Sequence, residues 1–256
     1  MTTSRPNGSL YTNIQGNIAI IEFGHPASNS FPSELLERLA NEFNSISKND
    51  TVSVIILKSE GEKAFCAGAS FDELVAVSNI AEGKQFFAGF ANVINAMRTC
   101  GKITIGRVQG KTVGGGVGLA AACDYVLATE NAAIKLSEFT IGIGPFVIEP
   151  AVERKIGIAA LSELTLEATA WKSAYWAKEK GLYAKVFETI KELDEEVTVL
   201  GSKLASYNPL ALSEMKKVLW KNTHHWDQLL AERAAISGEL VLSEFTKKAL
   251  IQFSKK

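Results

Sequence analysis

The chain has 256 residues, 46 % of them hydrophobic and 21 % charged, enough to bury a full core as one large domain or a domain with a helical appendage. A formal net charge of −1, no block of like charges and no apolar run of the roughly 18 residues that span a bilayer exclude a polybasic nucleic-acid or membrane surface and leave a small-molecule partner as the expectation. Cys66, Cys100 and Cys123 are odd in number, form no CxxC and follow no secretory hydrophobic segment, so a reducing compartment, the cytoplasm, is expected, with neither a disulfide framework nor a metal site.

Residues 10–23 carry two short β-type runs around Gly16 and predict a hairpin, which Pro26 ends. Leu35, Leu36, Leu39 and Phe43 then recur at helical spacing, with Ser30 or Ser33 as the cap. VSVIILKSE reads as a buried strand, and after the loop EKAFCAGAS a mostly helical stretch runs to about Arg98. ITIGRVQG reads as a strand, a glycine cluster follows, and YVLA and AIKL are short strands around the turn TENA. From about residue 150 onward the reading is almost wholly helical, and the tail FSKK is expected to fray. Strands alternating with helices predict an α/β layer structure with much parallel pairing. No internal repeat is visible.

Two strand-to-helix junctions are built from residues without bulk: AFCAGAS (64–70) and VGGGVGLA (113–120). The first N–H groups of a helix lack intrahelical partners and carry partial positive charge, so such an end attracts developing negative charge. Small residues let another atom approach those amides, although close backbone packing alone would also select them. The glycine spacing fits neither a dinucleotide nor a P-loop phosphate site.

AFCAGAS with its acidic helix, QGKTVGGGVGLAAACDYVLA, and the Glu of KLSEFTIGIGP together resemble the enoyl-CoA hydratase/isomerase, or crotonase, family, in order along most of the chain. The resemblance implies a ββα spiral core, placed at 1–198, and a helical C-terminal trimerisation region at 199–256. It also implies an acyl-CoA thioester as substrate, no cofactor beyond the coenzyme A carried by it, and a homotrimer or a dimer of trimers. Ala69 and Gly115 match the residues whose peptide N–H groups hold the thioester oxygen as an enolate forms. Glu138 matches one of two family glutamates and is the expected general base, against the alternative of a solvated glutamate at a strand end. Ala67, Ser70, Gly114, Gly118, Phe146, Ser28 and Ser30 are the implied substrate contacts.

Two departures qualify the match. Family hydratases carry a second glutamate two residues after the triple glycine, where this chain has Gly118, and their glycine-rich turn is replaced by GPFVIEP, with Phe146 as the bulky residue. A single base over an oxyanion hole suffices to move a double bond. One-base hydration, decarboxylation or hydration of a branched carboxylated thioester, and noncatalytic binding of an acyl-CoA or a protein stay open, with Glu149 as a substitute second acid or simply a helix cap. Lys216, Lys247, Lys248 and Phe253 could meet coenzyme A across a subunit boundary, with a solvated face as the default for the lysines. His25 marks a loop at the coenzyme side. His224 and His225, being adjacent, make poor metal geometry. Cys66 reads as packing, and Trp171, Trp176, Trp220 and Trp226 read as core or subunit contacts.

Overall fold

Two short runs of β-favouring residues on either side of Gly16 produce β1 (Ser9–Gln15) and β2 (Ile18–Gly24), paired antiparallel with Gln15 opposite Ile18, and β2 buries Ala19, Ile21 and Phe23 on one face. In the computed structural model, which describes residues 7–253, this hairpin feeds a parallel sheet. β3 (Val54–Ser59), β5 (Ile103–Val108) and β7 (Tyr125–Thr129) follow β2 side by side, and β9 (Lys185–Phe187) closes the edge, giving the order β1-β2-β3-β5-β7-β9. A second sheet takes the strands between them: β4 (Ala64–Cys66), β6 (Lys111–Val113) and β8 (Ile134–Lys135), all parallel. The chain thus steps from one sheet to the other and returns through helices. These are α2 (Phe71–Ala76) and α3 (Ile80–Thr99) after β4, and α4 (Gly115–Ala122) after β6. The ββα unit recurs in geometry although its sequences do not repeat.

The central strands are apolar almost throughout because both faces of the large sheet are covered. Val54, Ile56, Ile105 and Leu127 meet Leu193 and Val197 of α7 (Ile190–Ala205) on one face. Ile55, Leu57, Val108, Val126 and Ala128 face the main core on the other. There α1 (Ser33–Ser47) inserts Leu35, Leu36, Leu39 and Phe43, and α3 inserts Phe90, Val93, Ile94 and Met97. Beyond the sheets lie α5 (Glu149–Leu166), α6 (Ala174–Glu179), α8 (Pro209–Leu219), α9 (Trp226–Leu240) and α10 (Glu244–Phe253).

Several expectations are corrected. Neither Ser30 nor Ser33 caps α1. Pro32 occupies the cap position, Ser33 is the first helical residue and its N–H donates to Glu73 Oε2 at 2.9 Å, while Ser30 Oγ lies 3.2 Å from His25 Nδ1. The strand β9 lies in the stretch read as helical; three residues carry no periodicity, and pairing with the free edge of β7 makes them a strand. The proposed division at 198/199 falls inside α7. Trp220, Trp226, Leu230 and Ala234 of the C-terminal region are buried in the main core cluster, so the helical region packs as part of it. Phe253 ends α10, and the rest of the FSKK tail lies outside the described residues.

Candidate active site

The three short strands of the second sheet explain how the site assembles. β4 and β6 pair with Cys66 opposite Thr112, and β6 and β8 pair with Thr112 opposite Ile134 and Val113 opposite Lys135. Being parallel, all three end at one edge. The residues just past them, Ala67–Ser70, Gly114–Gly115 and Ser137–Glu138, therefore converge there. A methyl on Gly68 would sit 3.6 Å from the Gly115 nitrogen, which measures how closely the first two junctions approach.

Each junction has an unspent amide. Phe31 N–H donates to the Gly68 carbonyl and Ser70 N–H to the Phe31 carbonyl, a pairing that leaves the intervening Ala69 N–H without an acceptor among the described residues. The Gly115 N–H opens α4 and likewise has none. Gly114, at the cap of α4, has φ +54°, and a Cβ there would lie 2.9 Å from Glu138 Oε1. The carboxyl group therefore stands against the second junction.

Glu138 begins a short 3-10 helix, Glu138–Ile141, whose end at Gly142 has left-handed backbone geometry. Its Oε2 is buried with no hydrogen-bond partner among the described residues. Desolvation pushes its pKa up to about 7, opposed in part by its own backbone N–H. Ala69, Gly115 and Glu138 all line a cavity of about 470 Å³ with aromatic and aliphatic walls, including Phe86, Phe87, Phe90, Leu74, Ile143 and Ile148. Glu138 is the only carboxylate among the described residues that line it.

Among the expected site residues, Ala67, Ala69, Gly114, Gly115 and Glu138 line this cavity together, and Phe253, assigned to a subunit boundary, lines it within the same chain. The others do not. Ser70 is the N-cap of α2, its hydroxyl accepting from Glu73 N–H. Ser28 accepts the Ala67 N–H through its carbonyl, and it and Ser30 brace the loop behind the first junction. Gly118 is covered by Ile148, whose Cγ2 would lie 2.4 Å from a Cβ there. Phe146 turns back over Gly144, so the bulk near Gly118 comes from Ile148 instead. Glu149 opens α5 in a different, polar cavity with Glu153, Arg154 and Arg233. Burial and the neighbouring Glu153 push its pKa up to about 7, and Arg233 lies 3.5 Å away.

The glycines also serve packing. A Cβ on Gly115 would meet the Phe90 ring at 2.3 Å, and one on Gly116 would meet Cys66 at 2.7 Å. Cys66 is a buried thiol pushed up to about 12 by desolvation, as its packing role requires. Lys216 is neither a solvated residue nor a coenzyme contact: it is 2 % exposed and paired to Asp124 at 2.6 Å. Lys247, Lys248, His224 and His225 are exposed, and the cation over Trp171 comes from Lys111 and Lys135. Sequence reasoning missed Phe86, Phe87 and Phe90. They lie on a helix whose apolar residues could equally have been core.

The fold and site define an α/β protein of the ββα spiral class, whose small sheet presents two open amides and a largely buried carboxyl to a mostly apolar cavity. The Enoyl-CoA hydratase/isomerase family pattern matches residues 13–256, and the chain belongs to that family. It is 29 % identical over 245 residues to the short-chain-enoyl-CoA hydratase of Clostridium acetobutylicum, covering 94 % of this chain and 93 % of the relative. It is 31 % identical over 193 residues to the peroxisomal Delta(3,5)-Delta(2,4)-dienoyl-CoA isomerase of Arabidopsis thaliana, covering 70 % and 68 %. The fold matches the crystal structure of enoyl-CoA hydratase from Bacillus halodurans with a TM-score of 0.88 at 22 % identity, over 95 % of this chain and 99 % of that one. The protein is therefore an acyl-CoA-processing enzyme of the hydratase/isomerase type.

Proposed function

We propose that the enzyme moves a double bond in an enoyl-CoA, with Glu138 as the single acid/base and the N–H groups of Ala69 and Gly115 as the oxyanion hole. The observation that carries this reading is the buried Glu138 Oε2, which has no hydrogen-bond partner, beside two amides that have no acceptor among the described residues. A 3-enoyl thioester bound with its carbonyl oxygen on the two amides loses a C2 proton to Glu138, and the electron pair moves onto that oxygen as a dienolate. Each amide, aimed at the new charge in a site shielded from water, contributes about 3 kcal/mol. The protonated Glu138 then returns the proton at C4, giving the 2-enoyl thioester with nothing gained or lost. A carboxyl titrating near 7 is suited to both halves of this exchange.

Ile148 over Gly118 favours isomerisation over two-carboxylate hydration, because it fills the space a second glutamate would occupy. The step draws on no cofactor; coenzyme A enters as part of the substrate. The reading includes assembly into a trimer or a dimer of trimers, supported by exposed Leu210, Met215, Val218 and Leu219 on α8 and Val199 on α7. It also includes a reducing compartment, the cytoplasm, supported by three buried unpaired thiols. Among the described residues no helix is long and apolar enough to cross a membrane.

The test is incubation of 3-enoyl- and 2-enoyl-CoA in heavy water with the wild type and Glu138→Gln. Deuterium uptake together with double-bond migration, lost in the variant, is the expected result. Hydration without migration would make it a one-base hydratase. Binding with neither exchange nor product from any thioester would make it a noncatalytic acyl-CoA protein.

A further inference from the structure

We propose that the acyl chain of the substrate carries one uncharged oxygen function, a hydroxyl or a ketone, that hydrogen-bonds to Ser237 Oγ on the cavity wall supplied by α9. The inference rests on the acyl-thioester reading above and deepens it. Ser237 is 1 % exposed and lines the same cavity as Glu138, yet its Oγ has no hydrogen-bond partner among the described residues. A serine inside a helix ordinarily returns its hydroxyl to the carbonyl one turn back. Here it does not, so both its donor and its acceptor capacity are unspent in a place where an unmet hydroxyl is unfavourable.

The position of that hydroxyl is held by the backbone. α3 and α9 cross at Gly83 and Gly238, where a Cβ on Gly238 would come within 2.6 Å of the Lys84 nitrogen. Ser237 is the next residue, so it is held at the crossing. The cavity wall that α3 supplies beside it is aromatic: Phe86, Phe87 and Phe90. A buried water needs two to four polar partners, and the aromatic side chains of that wall supply none. A ligand oxygen attached to an otherwise apolar chain needs only one. A carboxylate would need a cation, and the one among the described residues that line the cavity, Lys135, stands over the Trp171 ring 4.6 Å from its centroid, so the function recognised is neutral.

The experiment measures dissociation constants by calorimetry on the full-length protein and Ser237→Ala. The probes are saturated medium-chain acyl-CoA thioesters, either plain or bearing a hydroxyl or a ketone at successive carbons beyond C3. The wild type is expected to bind one oxygenated thioester roughly two- to tenfold tighter than its plain counterpart. Ser237→Ala should erase that preference and leave the plain-chain affinity within about twofold, since it deletes a hydroxyl that makes no hydrogen bond among the described residues. A packing role would leave the ratio untouched. No preference at any position, or a preference surviving in Ser237→Ala, overturns the inference. Saturated thioesters are bound without turnover, so this outcome is independent of whether Glu138 is the base. Failure of every thioester to bind would overturn the acyl-thioester reading and the inference with it.

Discussion

Glu138 holds an ionisable group where water cannot reach one of its oxygens, and two measurable consequences follow. If its carboxylate is the base, kcat/KM falls about tenfold for each pH unit below 7 and levels off above. Glu138→Gln keeps the shape but cannot take a proton, so kcat should drop by about two to four orders of magnitude with thioester affinity little changed. Stability supplies a check that does not depend on mechanism. The folded pKa of about 7 lies above the 4.5 of the unfolded chain, so the folded protein binds the extra proton between those values. The favourable contribution is complete below about pH 4.5 and is lost as pH rises through 7. At pH 8 the ionised carboxylate then destabilises the fold by on the order of 3 kcal/mol, which Glu138→Gln relieves. Thermal melts should show the variant gaining over wild type at pH 8 and not at pH 4. An equal effect at both would mean that the group is solvated.

At the scale of elements, α4 is defined by what presses on its glycines. Gly118→Ala would place a methyl within 2.4 Å of Ile148 Cγ2, an overpacking that destabilises by about 1–3 kcal/mol. Ile148→Ala should recover much of that in the double variant, and denaturant titration of the cycle measures the coupling. Gly118→Glu on its own should lose stability rather than gain hydration. A stable variant with raised hydration would mean that Ile148 yields and that a second acid can be restored. Gly115→Val meets the Phe90 ring at 2.3 Å and should lose thioester binding and catalysis together. Normal activity in a folded Gly115→Val protein would relegate the first turn of α4 to packing.

Across the whole molecule, one buried polar cluster ties the C-terminal helices to the sheets. Asp124, between α4 and β7, accepts from Lys216 Nζ at 2.6 Å, Trp220 Nε1 at 2.7 Å and Thr104 N–H at 2.8 Å. Lys216→Met leaves the carboxylate buried without its cation and should destabilise by about 3–5 kcal/mol in urea titrations. Pairing it with Asp124→Leu should recover part of the loss. A loss under about 1 kcal/mol for Lys216→Met would mean that water reaches the cluster. Light scattering tests the assembly reading: the expected mass is three or six copies of the 27.7 kDa chain, and a monomer would overturn it.

Much of this was written locally. The hairpin around Gly16, the amphipathic α1, the buried β3 and β5 and the two small-residue junctions all follow from patterns within a few residues. The resemblance then singled out Ala69, Gly115 and Glu138. What stayed hidden was decided at a distance. Lys216 looks like any helical lysine until Asp124, 92 residues away, buries it. Phe146 and Ile148 are equally apolar on paper, and only the path of the turn before α5 sends one over Gly144 and the other over Gly118. β9 exists because β7 offers an open edge, not because Lys185–Phe187 prefer a strand. The sequence by itself determined which segments bury an apolar face and where backbone without side chains is exposed, because those depend on period and bulk. Only the tertiary structure decided which carboxyl is dehydrated, which serine is left unpaired and which glycine faces a cavity or a neighbour, because these depend on what two sheets and a helix crossing bring into contact.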